Sequence, residues 1–509
     1  MPANINYLYN FKNPIRYFIQ IDNLQYPRNI ENMPIDYLAW SEPFKFRIKK
    51  TNDSKRTLKI PNILNFNAAY YKFKNYPHFD NIQESDDKHK RLSADLEIGE
   101  FKTGEFERQL ALDFNNLSTF DTLLKVDIKE YYGRIYTHKL DFAHSDDERF
   151  LSNLNIGATN GLLMGNYLSL YFAEKYLSKI SKEIEKNIEE KGINCKFSYF
   201  SDDFYFFCNK RDHKDIISLY EKILDNYELE RNDLKVEIWT YETFNSYNII
   251  ERYWRKIVSY CNEKIKAESS KNKLVFINQI IYRIANIQDD KMKKTFINNF
   301  FKNIYFVQLD LSKFMVTDYN NHQLLYLYKL SPEALLYSIS KFRQMNKFDY
   351  NKFKLFFEIR YEESLKDLYH DEQLYYYFAI KIYGFDDLLQ PMKELVIKSE
   401  NQVLISYYLK ENLFSEEDLS FLQSFKDEKF WFQNYHLIIF KNDLRNNLTE
   451  SITKYLVPKS CKKEKQKENY INFYKDNIVS NNTLIRDINN VDTTIKSYLE
   501  KKINKEADE

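Results

Sequence analysis

The sequence predicts an α+β unit with a central antiparallel sheet, followed by an all-α helical array. Three observations lead there. Seven of the ten prolines lie at or before Pro77, so the first 80 residues read as short strands, turns and extended connections. Four of the eight glycines fall between 133 and 165, and only one follows 192. From residue 251 the apolar residues recur at the helical period. The expected divisions are 1–250 (α+β), 251–457 (an α-solenoid, HEAT-like array) and 458–509, a charged mobile tail or terminal helices.

Composition narrows the class. Glycine and proline together make 18 of 509 residues, which excludes collagen-like, linker-like and proline-rich chains and argues against a turn-rich all-β fold. Aromatics at 17% exclude a purely disordered chain. The net charge of +1 announces no polyanionic partner, so any nucleic-acid site must be a local basic patch. Four cysteines (Cys195, Cys208, Cys261, Cys461) show no metal or disulfide spacing. With no signal-like start and no long apolar run, a cytoplasmic chain with no membrane partner is expected.

The elements follow in order. Phe44, Phe46 and Ile48 alternate with Lys45, Arg47 and Lys49; after the turn-forming Thr51–Ser54, the run Thr57–Ile60 completes a hairpin with one basic face. Residues 62–74 read as a helix. Leu123–Ile128 is a largely apolar strand. Gly165–Ile180 carries Leu168, Tyr171, Phe172 and Tyr176 at helical spacing. Phe197–Cys208 is an aromatic hairpin, 210–229 a helix and Val236–Thr240 a further strand. Short helices follow around Ile277–Ile284, 324–331, 332–345, 374–384, 386–397 (with Pro391 inside), 402–409 and 437–443.

Two segments carry chemistry. In Leu123–Tyr132, Asp127 ends an apolar strand, where a carboxylate is costly unless it is paired or binds a metal. In Phe197–Phe207, Asp202 and Asp203 stand between aromatic runs. Four other Asp-Asp pairs (86–87, 146–147, 289–290, 386–387) lack that setting and read as solvated loops or helix starts. Three carboxylates on neighbouring strands fit oxygen-loving Mg2+ or Mn2+ and two-metal phosphoryl transfer. Between the segments, Gly161 and Gly165 open a helix and let the backbone approach a flat partner; neither is expected to tolerate alanine, whereas Gly133 and Gly157 read as turns.

In this order the segments resemble the palm of reverse transcriptases. Asp127 with Tyr132 matches motif A, Asn160-Gly161-x-x-x-Gly165 with Ser169 matches motif B, and Phe200-Ser201-Asp202-Asp203 matches motif C. Asn232-Asp233-Leu234-Lys235 looks like motif D, and Arg47–Pro61 like the fingers hairpin. The resemblance implies metal ligands at Asp127, Ile128, Asp202 and Asp203, and a catalytic set of Asp127, Asp202, Asp203 and Lys235, the lysine as proton donor to pyrophosphate. It implies triphosphate contacts at Lys50 and Arg56, sugar selection at Tyr132, and nucleotide contacts at Gly161 and Gly165. Ordinary members carry Pro-Gln where this chain has Leu163-Met164, and a thioether cannot donate the glutamine's hydrogen bonds.

Asp127–His138, running on into Tyr136-Thr137-His138, resembles the bacterial abortive-infection polymerases, as does the pairing with a long helical region. That family implies phage defence and template-free DNA synthesis from dNTPs, primed by a protein tyrosine that keeps the single-stranded product, in a homo-oligomer. Five tyrosines precede the hairpin; Tyr7 and Tyr9, nearest a mobile end, are favoured as primer. The alternatives are an RNA-templated defence reverse transcriptase and a non-catalytic scaffold with a vestigial palm. Three acidic residues with no nearby base argue against the scaffold.

Overall fold

The computed structural model describes residues 9, 14–51, 54–80, 88–96, 100–102, 104–248, 278, 280–303, 306–307, 318–343 and 349–507. Strands β1 (Phe44–Thr51) and β2 (Ser54–Ile60) form the expected hairpin, with Phe46 opposite Leu58 and Ile48 opposite Arg56. Phe44, Phe46, Leu58 and Ile60 are buried, while Lys45, Lys50 and Arg56 are exposed. Helix Ile63–Phe73 follows, capped by the Asn62 side chain, which accepts from the Leu64 N–H. Strands β3 (Ala94–Asp95) and β4 (Glu100–Phe101) make a short antiparallel ladder.

The central sheet contains β5 (Thr122–Asp127), β6 (Cys195–Phe200), β7 (Asp203–Cys208) and β8 (Glu237–Trp239) in the order β6-β7-β5-β8, each neighbouring pair antiparallel. Residues 89–91 cover the outer edge of β6: Tyr199 N–H donates to the His89 carbonyl, and Arg91 N–H to the Tyr199 carbonyl. Leu124, Val126, Tyr199, Phe204 and Phe206 join the main core with Tyr171 and Leu177 of helix Tyr167–Lys191 and Tyr220 and Leu224 of helix His213–Asn226. Leu123 and Phe207 face the other way, into a small cluster with Leu117 and Phe120. Leu117 ends helix Glu105–Leu117, which periodicity did not single out because its apolar stripe is thin. Cys195 and Cys208 lie opposite each other on β6 and β7, both free; Cys461 is free too, and Cys261 lies outside the described residues.

The second half is helical, as expected. Helix Tyr350–Lys366 packs on His370–Tyr383 and Leu448–Tyr455 on Glu464–Val479, each pair adjacent in sequence, while Gln402–Lys410 packs on Trp431–Phe440 past the intervening helix Glu416–Leu422. Around Pro391 the expected helix 386–397 is split into the 3-10 turns Asp386–Leu388 and Gln390–Met392 and the helix Lys393–Ser399. The helix expected at Ile277–Ile284 begins outside the described residues and runs on through 280–285.

The stretch from Pro458, expected as a charged mobile tail or terminal helices, forms helices Glu464–Val479 and Ile488–Ala507, which pack on the first 70 residues. Tyr474 Oη accepts from Asn62 Nδ2 (2.6 Å), Tyr470 Oη donates to Asn65 Oδ1, Gln466 Nε2 donates to the Leu38 carbonyl (2.7 Å), and Ile485 bridges Ile19. The boundary expected at 250 does not divide the core: one continuous buried cluster runs from Tyr9 to Leu499, so the β1–β2 hairpin, the central sheet and the helices share an interior. Among the described residues no helix is long and apolar enough to cross a membrane.

His436 pins this closure. Its Nδ1–H donates to the Phe432 carbonyl (2.9 Å), and its Nε2 accepts from the Leu484 N–H (3.0 Å), so the neutral ring is required. Burial pushes its pKa down to about 3. A folded pKa below the unfolded value of about 6.5 gives stability that is present above pH 6.5 and lost as pH falls toward 3, by ~1.4 kcal/mol per unit. The urea midpoint of the wild type is therefore expected to drop more steeply between pH 7.5 and 5.5 than that of His436→Gln. Parallel slopes would show that this ring does not titrate against the fold.

Candidate active site

The β5–β7 register places Asp127 directly opposite Asp203. Asp202 lies in the two-residue turn joining β6 to β7, where Ser201 takes a positive φ of 55°. The Asp202 carbonyl accepts from the Ile128 N–H (2.9 Å), which ties the turn to the end of β5. The acidic segments picked out by sequence are therefore brought together. By strand alternation Lys125, Asp127, Asp203 and Tyr205 share the face turned away from the main core, with Leu123 and Phe207.

Each carboxylate on that face has a cation. Lys235 Nζ lies 2.6 Å from Asp127 Oδ2, and Asn232 Nδ2 donates to Asp127 Oδ1 (2.9 Å). Lys125 Nζ lies 3.4 Å from Asp203 Oδ2. Burial pushes the Asp203 carboxyl up; Lys125 opposes this and the neighbouring Asp202 and Asp127 add to it. Burial works against the charge on Lys235, but its hydrogen bond to Asp127 and the field of the three aspartates outweigh it and raise its pKa. The expectation that the acidic residues have no base nearby is thus corrected: Lys125 pairs with Asp203 and Lys235 with Asp127. Lys125 was legible two residues before Asp127 on the same strand face; Asn232 stood in the motif D match without an assigned role.

Tyr132 is partly buried beside this centre. Burial, then the carboxylates of Glu174 and Asp202, push its phenol up, against the Ser201 hydroxyl and Arg56. Arg56 is exposed on the hairpin, opposite Ile48. Gly165 lies under the same hairpin: a Cβ built there would be 3.4 Å from a methyl of Leu58. Gly161 N–H donates to the Ile135 carbonyl (3.0 Å) and Leu162 N–H to the Tyr132 carbonyl (2.7 Å), which ties motif B to motif A. In place of Pro-Gln, Leu163 is buried and Met164 packs partly buried on the core. Lys50 is exposed near the hairpin tip.

Other assignments fare differently. Tyr9 is a core side chain, 3% exposed, its hydroxyl donating to the Pro61 carbonyl (2.5 Å) and its ring edge-on to Phe66. The expectation that it belongs to a free end is corrected. Tyr7 lies outside the described residues. Of the Asp-Asp pairs read as solvated, Asp147 is buried, paired with Lys72 (2.9 Å). Two buried pairs were missed by sequence reading: Lys90–Glu174 (2.8 Å), and Arg91, which holds Asp113 and lies 4.0 Å over the Tyr205 ring. Their partners are 84 and 22 residues away, too far for any local pattern to reveal.

The donor set suits a hard divalent cation: the aspartate oxygens, and the main-chain oxygen that is all Ile128 can offer. The Ile128–Arg231 bridge leaves that oxygen outside its ladder, since the bonds run from Lys129 N–H to Glu230 and from Asn232 N–H to Asp127. The ammonium groups of Lys235 and Lys125 stand where positive charge is wanted. Among the described residues, no group of three or more acidic, His or Cys side chains is gathered tightly enough to hold a metal ion.

No protein-family model matches the chain, and no curated protein matches it. Solved structures do match. One is the telomerase of Candida albicans in complex with a TWJ fragment of telomeric RNA, 12% identical over 72% of this chain and 63% of that one, with a TM-score of 0.30. The chain thus spans less than two thirds of that telomerase, and at this overlap the likeness carries no functional weight.

Two measurements test the site. Gly161 has φ +89°, and an added Cβ would sit 3.2 Å from the Gly133 carbonyl oxygen. Gly161→Ala is expected to cost about 1–3 kcal/mol in urea unfolding, while Gly133→Ala, with open space around it, is expected to be neutral. Gly157, read as a mere turn, is also constrained: its Cβ would lie 2.6 Å from the Trp40 indole. Separately, Lys235→Ala frees Asp127 of its ammonium, so Mn2+ affinity read by electron paramagnetic resonance is expected to rise by up to about fivefold. An unchanged affinity would mean that lysine and metal do not compete.

Proposed function

We propose that the chain is a reverse-transcriptase-like nucleotidyltransferase that makes DNA from dNTPs without a template, starting on one of its own tyrosines, in an abortive-infection defence against phage. The observation that carries this reading is the placement of Asp127 opposite Asp203, with Asp202 at the adjoining turn, its carbonyl tied to the end of β5. Mg2+ or Mn2+ held by Asp127, Ile128 and Asp202, with Asp203 assisting, would supply positive charge for phosphoryl transfer. Lys50 and Arg56 hold the triphosphate, and Tyr132 limits space at the sugar. A tyrosine oxygen attacks the α-phosphorus, its proton passing to solvent; the bond to pyrophosphate breaks, and Lys235, leaving Asp127, gives its proton to the pyrophosphate oxygen so released. The resemblance further implies a homo-oligomer and a covalently attached single strand.

Weakened templating is supported by Leu163-Met164, which offers an incoming base no side-chain hydrogen bond. A second reading, the non-catalytic scaffold, is favoured by one observation: Lys235 and Lys125 already neutralise Asp127 and Asp203.

The test is direct. Purified protein incubated with Mg2+ and dNTPs, without template or primer, is expected to gain mass, and Asp202→Ala to gain none. Nuclease treatment followed by mass spectrometry is expected to leave the adduct on a tyrosine within residues 1–45. No mass gain in the wild type would favour the scaffold. A specific co-purifying RNA that is copied faithfully would favour the RNA-templated enzyme.

A further inference from the structure

The hairpin bearing Lys50 and Arg56 is gripped from behind by the helical half. Residues 47 and 49 of β1 turn their N–H groups away from β2, and the first turn of helix His370–Tyr383 receives both. Arg47 N–H donates to His370 Nδ1 (3.3 Å) and Lys49 N–H to Asp371 Oδ1 (3.2 Å). The side chains repeat the connection: Lys49 Nζ pairs with Glu372 Oε1 (3.3 Å), Arg47 Nη2 with Glu400 (3.1 Å), and Lys49 and Lys55 both lie over the Tyr369 ring. His370 Nε2–H donates to the Ser399 carbonyl (2.9 Å), fixing the ring that meets the strand.

Asp371 and Glu372 are both buried, 4% and 3% exposed, and adjacent in sequence. Two neighbouring carboxylates withdrawn from water are costly unless cations and donors meet them, so this pair holds Lys49 in place, and the charge of Lys294 acts on both. Lys49 immediately precedes Lys50, and its cross-strand partner Lys55 immediately precedes Arg56. In a two-stranded ribbon, fixing one face fixes the other.

We propose that Asp371 and Glu372 are positioning residues for the nucleotide: through Lys49 and the β1 backbone they fix the end of the hairpin that presents Lys50 and Arg56, which makes the helical half part of the nucleotide-binding apparatus. This rests on the polymerase reading above. In Glu372→Gln and Lys49→Met, hydrogen exchange across the described parts of 44–60 is expected to quicken without nucleotide. KM for dNTP in adduct formation is expected to rise about tenfold with kcat little changed. The double variant is expected to match either single one, because both break the same contact. Unchanged exchange, or unchanged KM in variants that fold and turn over, overturns the proposal. Wild-type protein that binds no dNTP in a Ca2+-supported titration overturns the polymerase reading instead, and the exchange result still decides whether the hairpin is anchored.

Discussion

Everything at the candidate site depends on one pairing, the register that sets Asp127 across from Asp203. Like charges directly opposite on antiparallel strands repel and destabilise the ladder, so the surroundings must compensate. Lys125 comes from the same strand, two residues back, and Lys235 and Asn232 arrive on the 3-10 turn that leads into β8. The short edge strand β8 delivers that turn: its pairing with β5 carries the chain past Asp127, and Asn232 N–H donates to the Asp127 carbonyl. A slip of one residue between β5 and β7 would send the acidic side chains into the apolar face beneath the helices.

The tyrosines explain how a chain with so few glycines closes on itself. Many are fully buried, and their hydroxyls reach main-chain carbonyls far away in sequence: Tyr131 to Ala173, Tyr171 to Pro77, Tyr407 to Arg486. A phenol fills apolar space along its ring and satisfies an interior acceptor at its tip, a service an aliphatic side chain cannot give. Tyr470 and Tyr474 reach as far through side chains, Tyr470 donating to Asn65 and Tyr474 accepting from Asn62, from the last quarter of the chain. The end of the chain is therefore built into the support of helix Ile63–Phe73, which directly follows the hairpin.

Much was legible locally. The alternation of Phe44, Phe46 and Ile48 with basic residues gave the hairpin, the aromatic run around Asp202 gave β6 and β7, and the spacing of Leu168, Tyr171, Phe172 and Tyr176 gave helix Tyr167–Lys191. What stayed open or was missed has physical causes. Residues 464–479 are rich in lysine and glutamate, and read as either a mobile tail or a terminal helix because composition does not show that Gln466, Tyr470, Phe473, Tyr474 and Asn477 all lie on one face. Tyr9 read as part of a free end because position in sequence says nothing about burial.

By itself the sequence determined the types and order of the elements and the residues with chemical potential, because strand alternation, helical period and turn preferences act over a few residues. The tertiary structure alone decided which carboxylates face each other, that Lys125 and Lys235 neutralise them, and that His370, Asp371 and Glu372 hold the hairpin. Those contacts join residues tens to hundreds of positions apart, and their cost or benefit exists only after water has been excluded around them.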